Sequence, residues 1–208
     1  MHSSEQAKQH AIELRSRIYT ALRDGDLDVE PVLELAYLLE EWGVSTPATR
    51  EILERPLARL TERDLARLGR RLLKDAGFEP TFALVPDLWV ALERALRAVE
   101  RDARATGTTG ALRLVMPDWD DSGQAWVEFR GVCQGNGIRP VEGGDPDGGL
   151  ATVADAAQEV ITEVTWAAWP VCPVHDLGLH ATLEHKTAVW RCKSATTHTV
   201  ARVGQLSP

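Results

Sequence analysis

The sequence has few cysteines and no long apolar run, and both absences restrict the kind of protein it encodes. It contains three cysteines, Cys133, Cys172 and Cys192, an odd number that argues against a disulfide framework and fits reduced thiols in a cytosol. No apolar run approaches the roughly 20 residues needed to cross a bilayer. The first residues lack the basic and then apolar pattern of a secretory signal. We therefore predict a cytoplasmic protein that makes no membrane contact.

The motifs of common enzyme families are also missing. The sequence has no Gly-x-x-x-x-Gly-Lys phosphate loop, no Gly-x-Ser-x-Gly elbow and no His-Glu-x-x-His helix. A divergent enzyme could use carboxylates from Asp118, Asp120 and Glu128, provided that the fold brings them together. We predict a non-enzymatic protein, and keep that enzyme as the alternative that a structure would test.

The charge is negative overall but unevenly distributed. The net charge of −8 disfavours nonspecific binding to phosphate backbones, which requires a positive surface. Residues 47–76 carry eight basic and five acidic side chains, whereas residues 117–163 carry two basic and ten acidic ones. These segments could face each other within the fold, or either could face a partner.

The first 105 residues have the three- and four-residue apolar spacing of helices. Five helical segments are separated by Gly25, Gly43, Pro56 and Gly77, which are residues that end helices. Thr61 with Asp64 resembles a capping box, which marks a helix start. Short turns between amphipathic helices predict a helical domain over residues 1–105, built as a bundle.

Beyond a Gly- and Thr-rich linker at residues 106–110, the pattern becomes that of strands. Alternating apolar residues predict one strand from Leu112 to Met116 and another from Trp126 to Val132, joined as a hairpin. A Gly- and Asp-rich stretch at 141–149 predicts a mobile loop, followed by a helix over 151–166. The predicted fold class is therefore α+β, with a second domain at 111–208 that ends in a zinc-ribbon-like module at 166–206.

The C-terminal module has the strongest local signal, a set of two cysteines and two histidines. Cys172 and His175 are separated by two residues, a spacing that lets a tight turn direct both side chains to one metal ion. Cys192 and His198 form a second pair with five residues between them. Strand patterns occupy residues 179–183, 188–192 and 198–203. Two ligand pairs on short hairpins are the arrangement of a zinc ribbon, so we predict zinc as the cofactor.

A metal-free structure is the alternative for this segment. A hairpin could pack Trp169, Val189 and Trp190, with the cysteines as small buried apolar residues. The second ligand pair also departs from the Cys-x-x-Cys spacing usual in ribbons. His180 and His185 are substitute ligands that the spacing leaves open.

A cationic stripe is predicted on the fourth helix. Its members fall on one helical face, opposite Leu65, Leu68 and Leu72, and are Arg63, Arg67, Arg70, Arg71 and Lys74. This face could bind another protein with an acidic surface, or nucleic acid, or serve only as the solvated side of an amphipathic helix.

Two segments resemble known groups of proteins. Trp-Pro-x-Cys-Pro-x-His at 169–175, Ala-Val-Trp-x-Cys at 188–192 and His-x-Val-Ala-x-Val-Gly at 198–204 together resemble the C-terminal segment of an uncharacterised actinobacterial family, which implies no activity. Ser-Thr-Pro-Ala-Thr-Arg-Glu-Ile-Leu at 45–53 is similar to small bacterial immunity-type helical proteins. We therefore predict an interaction or adaptor protein of the immunity or antitoxin type, with a zinc-ribbon factor that contacts nucleic acid as the alternative.

Overall fold

The computed structural model describes residues 2–207, with side chains from residue 6 onward; Met1 and Pro208, the outer ends of the predicted domains, lie outside it. Within these residues the α-helices are α1 (His2–Asp24), α2 (Val29–Glu41), α3 (Pro47–Glu54), α4 (Glu62–Asp75), α5 (Pro86–Ala105) and α6 (Pro146–Thr165). The strands are β1 (Leu112–Val115), β2 (Trp126–Phe129), β3 (Val132–Cys133), β4 (Leu179–Glu184), β5 (Thr187–Cys192) and β6 (His198–Arg202). The predicted α+β class is confirmed.

Helices α1 to α4 form the first of two compact units, residues 1–80. Its core is built mainly from leucine and isoleucine side chains, of which Leu14, Ile18, Leu35, Leu68 and Leu72 have no solvent exposure. These residues recur at the spacing of one helical face, so each helix turns its apolar stripe toward the others. The sequence periodicity of this part of the chain is therefore explained by burial.

The capping box predicted at the start of α4 is present. The Thr61 hydroxyl accepts a hydrogen bond from the Asp64 backbone N–H at 3.1 Å, and the Asp64 carboxylate accepts one from the Thr61 N–H at 3.3 Å. Two backbone donors that the helix itself cannot satisfy are thereby paired. This local pairing fixes where α4 begins.

The second unit, residues 81–208, contains α5, α6 and two three-stranded antiparallel sheets with strand orders β1-β2-β3 and β4-β5-β6. Helix α6 packs against α5, β2, β4 and β5, so it lies between the two sheets and shares an apolar core with both. Phe129, Val160 and Trp190 are fully buried in that core.

The compact units divide at Pro80 and Thr81, whereas the sequence places the end of the helical domain at residue 105. The buried face of α5, including Leu92 and Val99, belongs to the same apolar cluster as that of α6. An amphipathic pattern predicts that a helix has a buried face, but it does not say which neighbour covers that face.

The prediction of a mobile loop at 141–149 is wrong. Residues Pro140–Gly144 form a 3-10 helix, and α6 begins at Pro146, where a fixed φ suits the first helical position. The glycines here allow close packing: a Cβ added at Gly143 would lie 2.5 Å from the Leu88 carbonyl oxygen, and one at Gly149 would lie 2.7 Å from that of Glu142. The glycine content therefore reflects backbone contacts between elements.

The strand predicted from Trp126 to Val132 is interrupted. Phe129 pairs with Val132, so Arg130 and Gly131 form a two-residue hairpin loop with φ of 52° and 79°. Positive φ at both central residues is typical of the type I′ turn that two-residue hairpins favour.

In the described chain, no helix is both long and apolar enough to span a bilayer.

Candidate metal centre

Cys172 and His175 lie on a tight loop that precedes β4. A bridge between Val171 and Gly178 closes the loop. Within it, the Cys172 N–H donates to the Leu177 carbonyl at 2.7 Å, and the Asp176 N–H donates to the Cys172 carbonyl at 2.9 Å. These backbone bonds hold the two side chains, which are separated by Pro173 and Val174, toward the same point.

Cys192 and His198 lie directly opposite each other at the adjoining ends of β5 and β6. Residues that face each other across an antiparallel pair place their side chains on the same side of the sheet. The register of β5 and β6 shifts between Trp190 and Arg191. The five residues between Cys192 and His198 form the hairpin connection, and the pairing of these two residues places both side chains on one face of the sheet.

The four predicted side chains form one cluster. Their candidate ligand atoms all lie within 4.8 Å of one another. Cys172 Sγ is 3.6 Å from His175 Nδ1 and 3.7 Å from His198 Nε2, and Cys192 Sγ is 3.6 Å from the same His175 Nδ1. Both cysteines are buried and both histidines are half-buried, so the cluster is closed on the sulfur side.

The loop also favours the thiolate form of Cys172. Burial acts to raise the pKa of this thiol, but hydrogen bonds from the backbone N–H groups of Val174 and His175, and from the His175 ring, lower that pKa to about 6. A thiolate is the form of cysteine that binds metal ions. The sequence reasoning did not identify these two backbone donors; the Cys-Pro-x-His loop is the signal that would have indicated them.

His198 is oriented by a neighbouring carbonyl. Its Nδ1 lies 3.1 Å from the Thr196 carbonyl oxygen, which can only accept, so Nδ1 carries the hydrogen. In the neutral ring Nε2 then presents its lone pair toward Cys172, the arrangement usual for histidine ligands. The bond to Thr196, with a smaller contribution from Cys172, raises the pKa of His198.

Three sulfur–nitrogen separations in the cluster are close to those of a tetrahedral metal site. With zinc–sulfur bonds of about 2.3 Å and zinc–nitrogen bonds of about 2.0 Å, sulfur and nitrogen ligands are separated by about 3.5 Å. The observed separations are 3.6 to 3.7 Å. His175 Nδ1 lies equally close to two sulfurs, and a ring nitrogen has only one hydrogen or lone pair to offer them. A central ion would engage all four groups.

Other candidate ligands lie elsewhere. Within the described residues, this is the sole group of three or more Cys, His, Asp or Glu side chains that could hold a metal ion. The third cysteine, Cys133, is at the end of β3, and His180 faces Arg191 across the β4–β5 pair. His185 lies between β4 and β5 with a φ of 49°. The group that could hold a metal ion therefore consists of the four residues singled out in the sequence.

The cationic stripe of α4 is only partly open. Arg67 contacts Glu51 at 2.5 Å and Asp64 at 3.6 Å. In contrast, Arg63, Arg70, Arg71 and Lys74 are exposed and make no ion pair within the described chain. Beside this stripe lies a cavity of about 530 Å³. It is lined by Tyr19, Leu22, Leu73, Phe78 and Pro80, with Arg23, Arg70 and Lys74 at its edge.

Two of the three acids of the alternative enzyme, Asp120 and Glu128, have side-chain partners in the structure. Asp120 accepts hydrogen bonds from the Ser122 hydroxyl at 2.8 Å and from the Trp126 indole at 2.6 Å. Glu128 pairs with Arg113 across β1 and β2. Asp120 therefore stabilises a turn, and Glu128 a strand pair.

The Cys172, His175, Cys192 and His198 cluster is thus a group that could bind a metal ion. It combines two sulfurs and two ring nitrogens at mutual distances below 4.8 Å. Such donors suit zinc and related transition metals better than calcium or magnesium, which take oxygen ligands. No protein-family model, curated protein or solved structure matches this chain.

Proposed function

We propose that the cluster binds one structural zinc ion and that residues 166–206 are a zinc ribbon. The observation that carries this proposal is the mutual approach of four ligand atoms within 4.8 Å. Thiolate and imidazole ligands in a two-and-two set are typical of structural zinc sites. The ion would join the loop before β4 to the β5–β6 hairpin.

The site has a structural rather than a catalytic role. A catalytic zinc keeps a coordination position for water or substrate, whereas four protein ligands complete a tetrahedron. Both sulfurs are also buried, with Cys172 exposed by 1% and Cys192 by 0%. No coordination position is left at which a substrate would meet the ion.

Metal content tests this assignment. Protein purified after growth with zinc should retain one equivalent, measured by elemental mass spectrometry. Cys172→Ser and Cys192→Ser should lose it, whereas Cys133→Ser, which changes the cysteine outside the cluster, should retain it. Native protein without metal, or full zinc content in Cys172→Ser, would refute the site. Another metal at full occupancy would retain the site and refute only zinc.

We further propose that the protein is a non-enzymatic interaction protein, of the adaptor, immunity or antitoxin type. The lining of the cavity beside α4 combines apolar side chains with the exposed cations Arg70 and Lys74. Tyr19 and Phe78 pack at a centroid distance of 5.5 Å, so this part of the lining is preformed. Such a groove suits an apolar segment with acidic flanks on another protein, because the apolar residues gain burial and the flanks gain charge partners.

Charge reversal separates this surface from the rest of the molecule. Arg70→Glu with Lys74→Glu should abolish stoichiometric capture of a protein partner from native lysate. Arg94→Glu with Arg97→Glu, which changes two exposed arginines of α5, should leave capture intact. Equal capture by both double variants, or no stoichiometric partner for the native protein, would contradict this proposal.

A second candidate is a zinc-ribbon factor that contacts nucleic acid. It is favoured by the exposed side chains of Arg63, Arg70, Arg71 and Lys74, which have no ion-pair partner in the described residues. Binding of labelled DNA or RNA that weakens steeply with salt would support it, because phosphate contacts release counterions. No binding at low salt would exclude it.

A further inference from the structure

A second cavity, of about 700 Å³, lies in the second unit. The ends of α5 and α6 and strand β6 surround it. Its apolar walls include Ile161, Trp169, Val200 and Leu206. A cavity of this size accommodates a small molecule, and apolar walls of this kind bury most of a ligand's surface.

Hydrogen bonds hold part of the wall in place and engage the polar hydrogens of Trp169, Thr106 and Thr165. The Trp169 indole donates to the Thr106 hydroxyl at 2.8 Å, and that hydroxyl donates to the Asp102 carbonyl at 2.9 Å. The Thr165 hydroxyl donates to the Ile161 carbonyl at 2.7 Å. These hydroxyl hydrogens are not available to a ligand, so the walls near them offer mainly apolar contact.

Arg130 is the single charged residue among those that line the cavity. Its Nη2 donates to the Thr109 carbonyl at 2.6 Å and lies 3.2 Å from the Thr109 hydroxyl, while its Cζ lies 4.9 Å from the centre of the Phe129 ring. Nε and Nη1 have no hydrogen-bond partner in the described chain. Arg130 is exposed, so its guanidinium contacts Thr109 and keeps two donors open to solvent.

The backbone at Arg130 is unusual for this residue type. Its φ is 52° at the first central position of the type I′ turn, where asparagine, aspartate and glycine are preferred. A non-glycine residue held at positive φ is destabilised, and such strain is concentrated at functional sites. The turn therefore retains an arginine where the backbone alone favours a smaller residue.

We propose that this cavity binds a ligand with an apolar body and one carboxylate, with the carboxylate paired to Arg130. A carboxylate can accept a charge-assisted hydrogen bond from the Nε–H or the Nη1–H of this guanidinium. A phosphate group would call for more donors than one arginine supplies, and an uncharged apolar ligand would leave the guanidinium unpaired. Val171 and Pro173, on either side of Cys172, line the cavity, but none of the four clustered side chains does, so a ligand there needs no contact with the metal cluster.

Octanoate and octan-1-ol are the probes that test this site, because they share a chain and differ in the charged head. Titration followed by ¹H–¹⁵N spectra should shift the indole signal of Trp169, assigned with Trp169→Phe. Octanoate should bind about tenfold more tightly than octan-1-ol, the ratio expected of one charge-assisted hydrogen bond. No shift of the Trp169 indole with octanoate, or equal affinities for the two probes, would overturn the proposal.

Arg130→Asn is the informative variant because asparagine suits the type I′ turn and should preserve the fold. It should reduce the preference for octanoate to less than about twofold. Arg202→Asn removes an exposed arginine of β6 that does not line the cavity and should retain the native preference. Ala167→Trp, at the edge of the cavity, should block both probes. Octanoate preference that persists in Arg130→Asn, or octanoate binding that persists in Ala167→Trp, would refute the assignment.

Discussion

The Asp102 carboxylate and the Trp190 indole are separated by 88 residues in sequence and joined by a buried hydrogen bond of 2.6 Å. Asp102 is completely buried and also accepts hydrogen bonds from the backbone N–H groups of Gly204 at 2.6 Å and Leu206 at 2.8 Å. One side chain of α5 therefore ties together β5 and the segment that follows β6.

Replacing Asp102 should destabilise the second unit strongly. Asp102→Ala leaves the donors of Trp190, Gly204 and Leu206 without their acceptor, so we expect a loss of about 3 kcal/mol in the free energy of unfolding. Urea denaturation measures it. Asp155→Ala, which removes an exposed carboxylate of α6, should change stability by less than about 0.5 kcal/mol. Similar losses in both variants would contradict this role for Asp102.

The Glu51–Arg67 pair predicts a pH dependence in the first unit. The hydrogen bond from Arg67 lowers the pKa of Glu51 below its ordinary value of 4.5. A depressed pKa contributes stability that is complete above the unfolded value and is lost as the pH falls through the folded value. The first unit should therefore lose stability as the pH falls below about 4.5.

Arg67→Gln isolates this contribution. At neutral pH it should cost less than about 1 kcal/mol, because the pair is partly exposed. Its stability should also fall less between pH 6 and the acid transition than that of the native protein, as followed by urea denaturation at several pH values. Arg50→Gln, on the neighbouring helix α3, is the matched control. Parallel pH profiles for Arg67→Gln and the native protein would show that the pair does not contribute.

Adjacent glycines of α6 should respond in opposite directions to alanine. A Cβ at Gly149 would lie 2.7 Å from the Glu142 carbonyl oxygen, which is backbone and cannot move freely, whereas one at Gly148 would lie 2.7 Å from the flexible Asp145 carboxylate. Gly149→Ala should therefore destabilise the protein by about 2 kcal/mol. Gly148→Ala should be neutral or slightly stabilising, because alanine is the better helix former. Thermal denaturation measures the stability of both variants. Equal changes in melting temperature would show that the contact between a Cβ at 149 and the Glu142 carbonyl is unimportant.

Removal of the metal ion should weaken the second unit. If zinc binds the folded cluster, chelation removes binding free energy that is also folding free energy. We expect the melting temperature of native protein to fall by about 10 °C with chelator. Cys133→Ser should show the same fall, and Cys172→Ser should melt at a temperature that chelator does not change. A native protein that melts identically with and without chelator would contradict a structural ion.

Local chemistry predicted much of this structure from sequence. The start of α4 is set by Thr61 and Asp64, and the strand patterns at 179–183, 188–192 and 198–203 correspond to β4, β5 and β6. Contacts between elements that are distant in sequence could not be predicted, because local patterns do not say which elements pack together. Glycines at 143 and 149 resemble loop residues until the neighbouring carbonyls of Leu88 and Glu142 are known.

The candidate metal site was also predictable in its local parts and not in its long-range contacts. The sequence supplied the four ligand types, but their convergence depends on Cys192 and His198 facing each other across β5 and β6, which spacing alone does not guarantee. The cavity near Arg130 was missed because its lining residues are scattered from Thr106 to Ser207. The local pattern at Arg130 and Gly131 indicates a turn and does not indicate a cavity.

The partners of Asp102 also set an order for folding during synthesis. The Leu206 N–H, which donates to the Asp102 carboxylate, lies 104 residues after Asp102 in the sequence. During synthesis this hydrogen bond can form only after Leu206 has left the ribosome. Contacts of such long sequence separation form late, whereas the helices of the first unit need no residue beyond position 80. A nascent chain should thus contain a finished helical unit attached to an open α5, exposing apolar surface that holdase chaperones recognise.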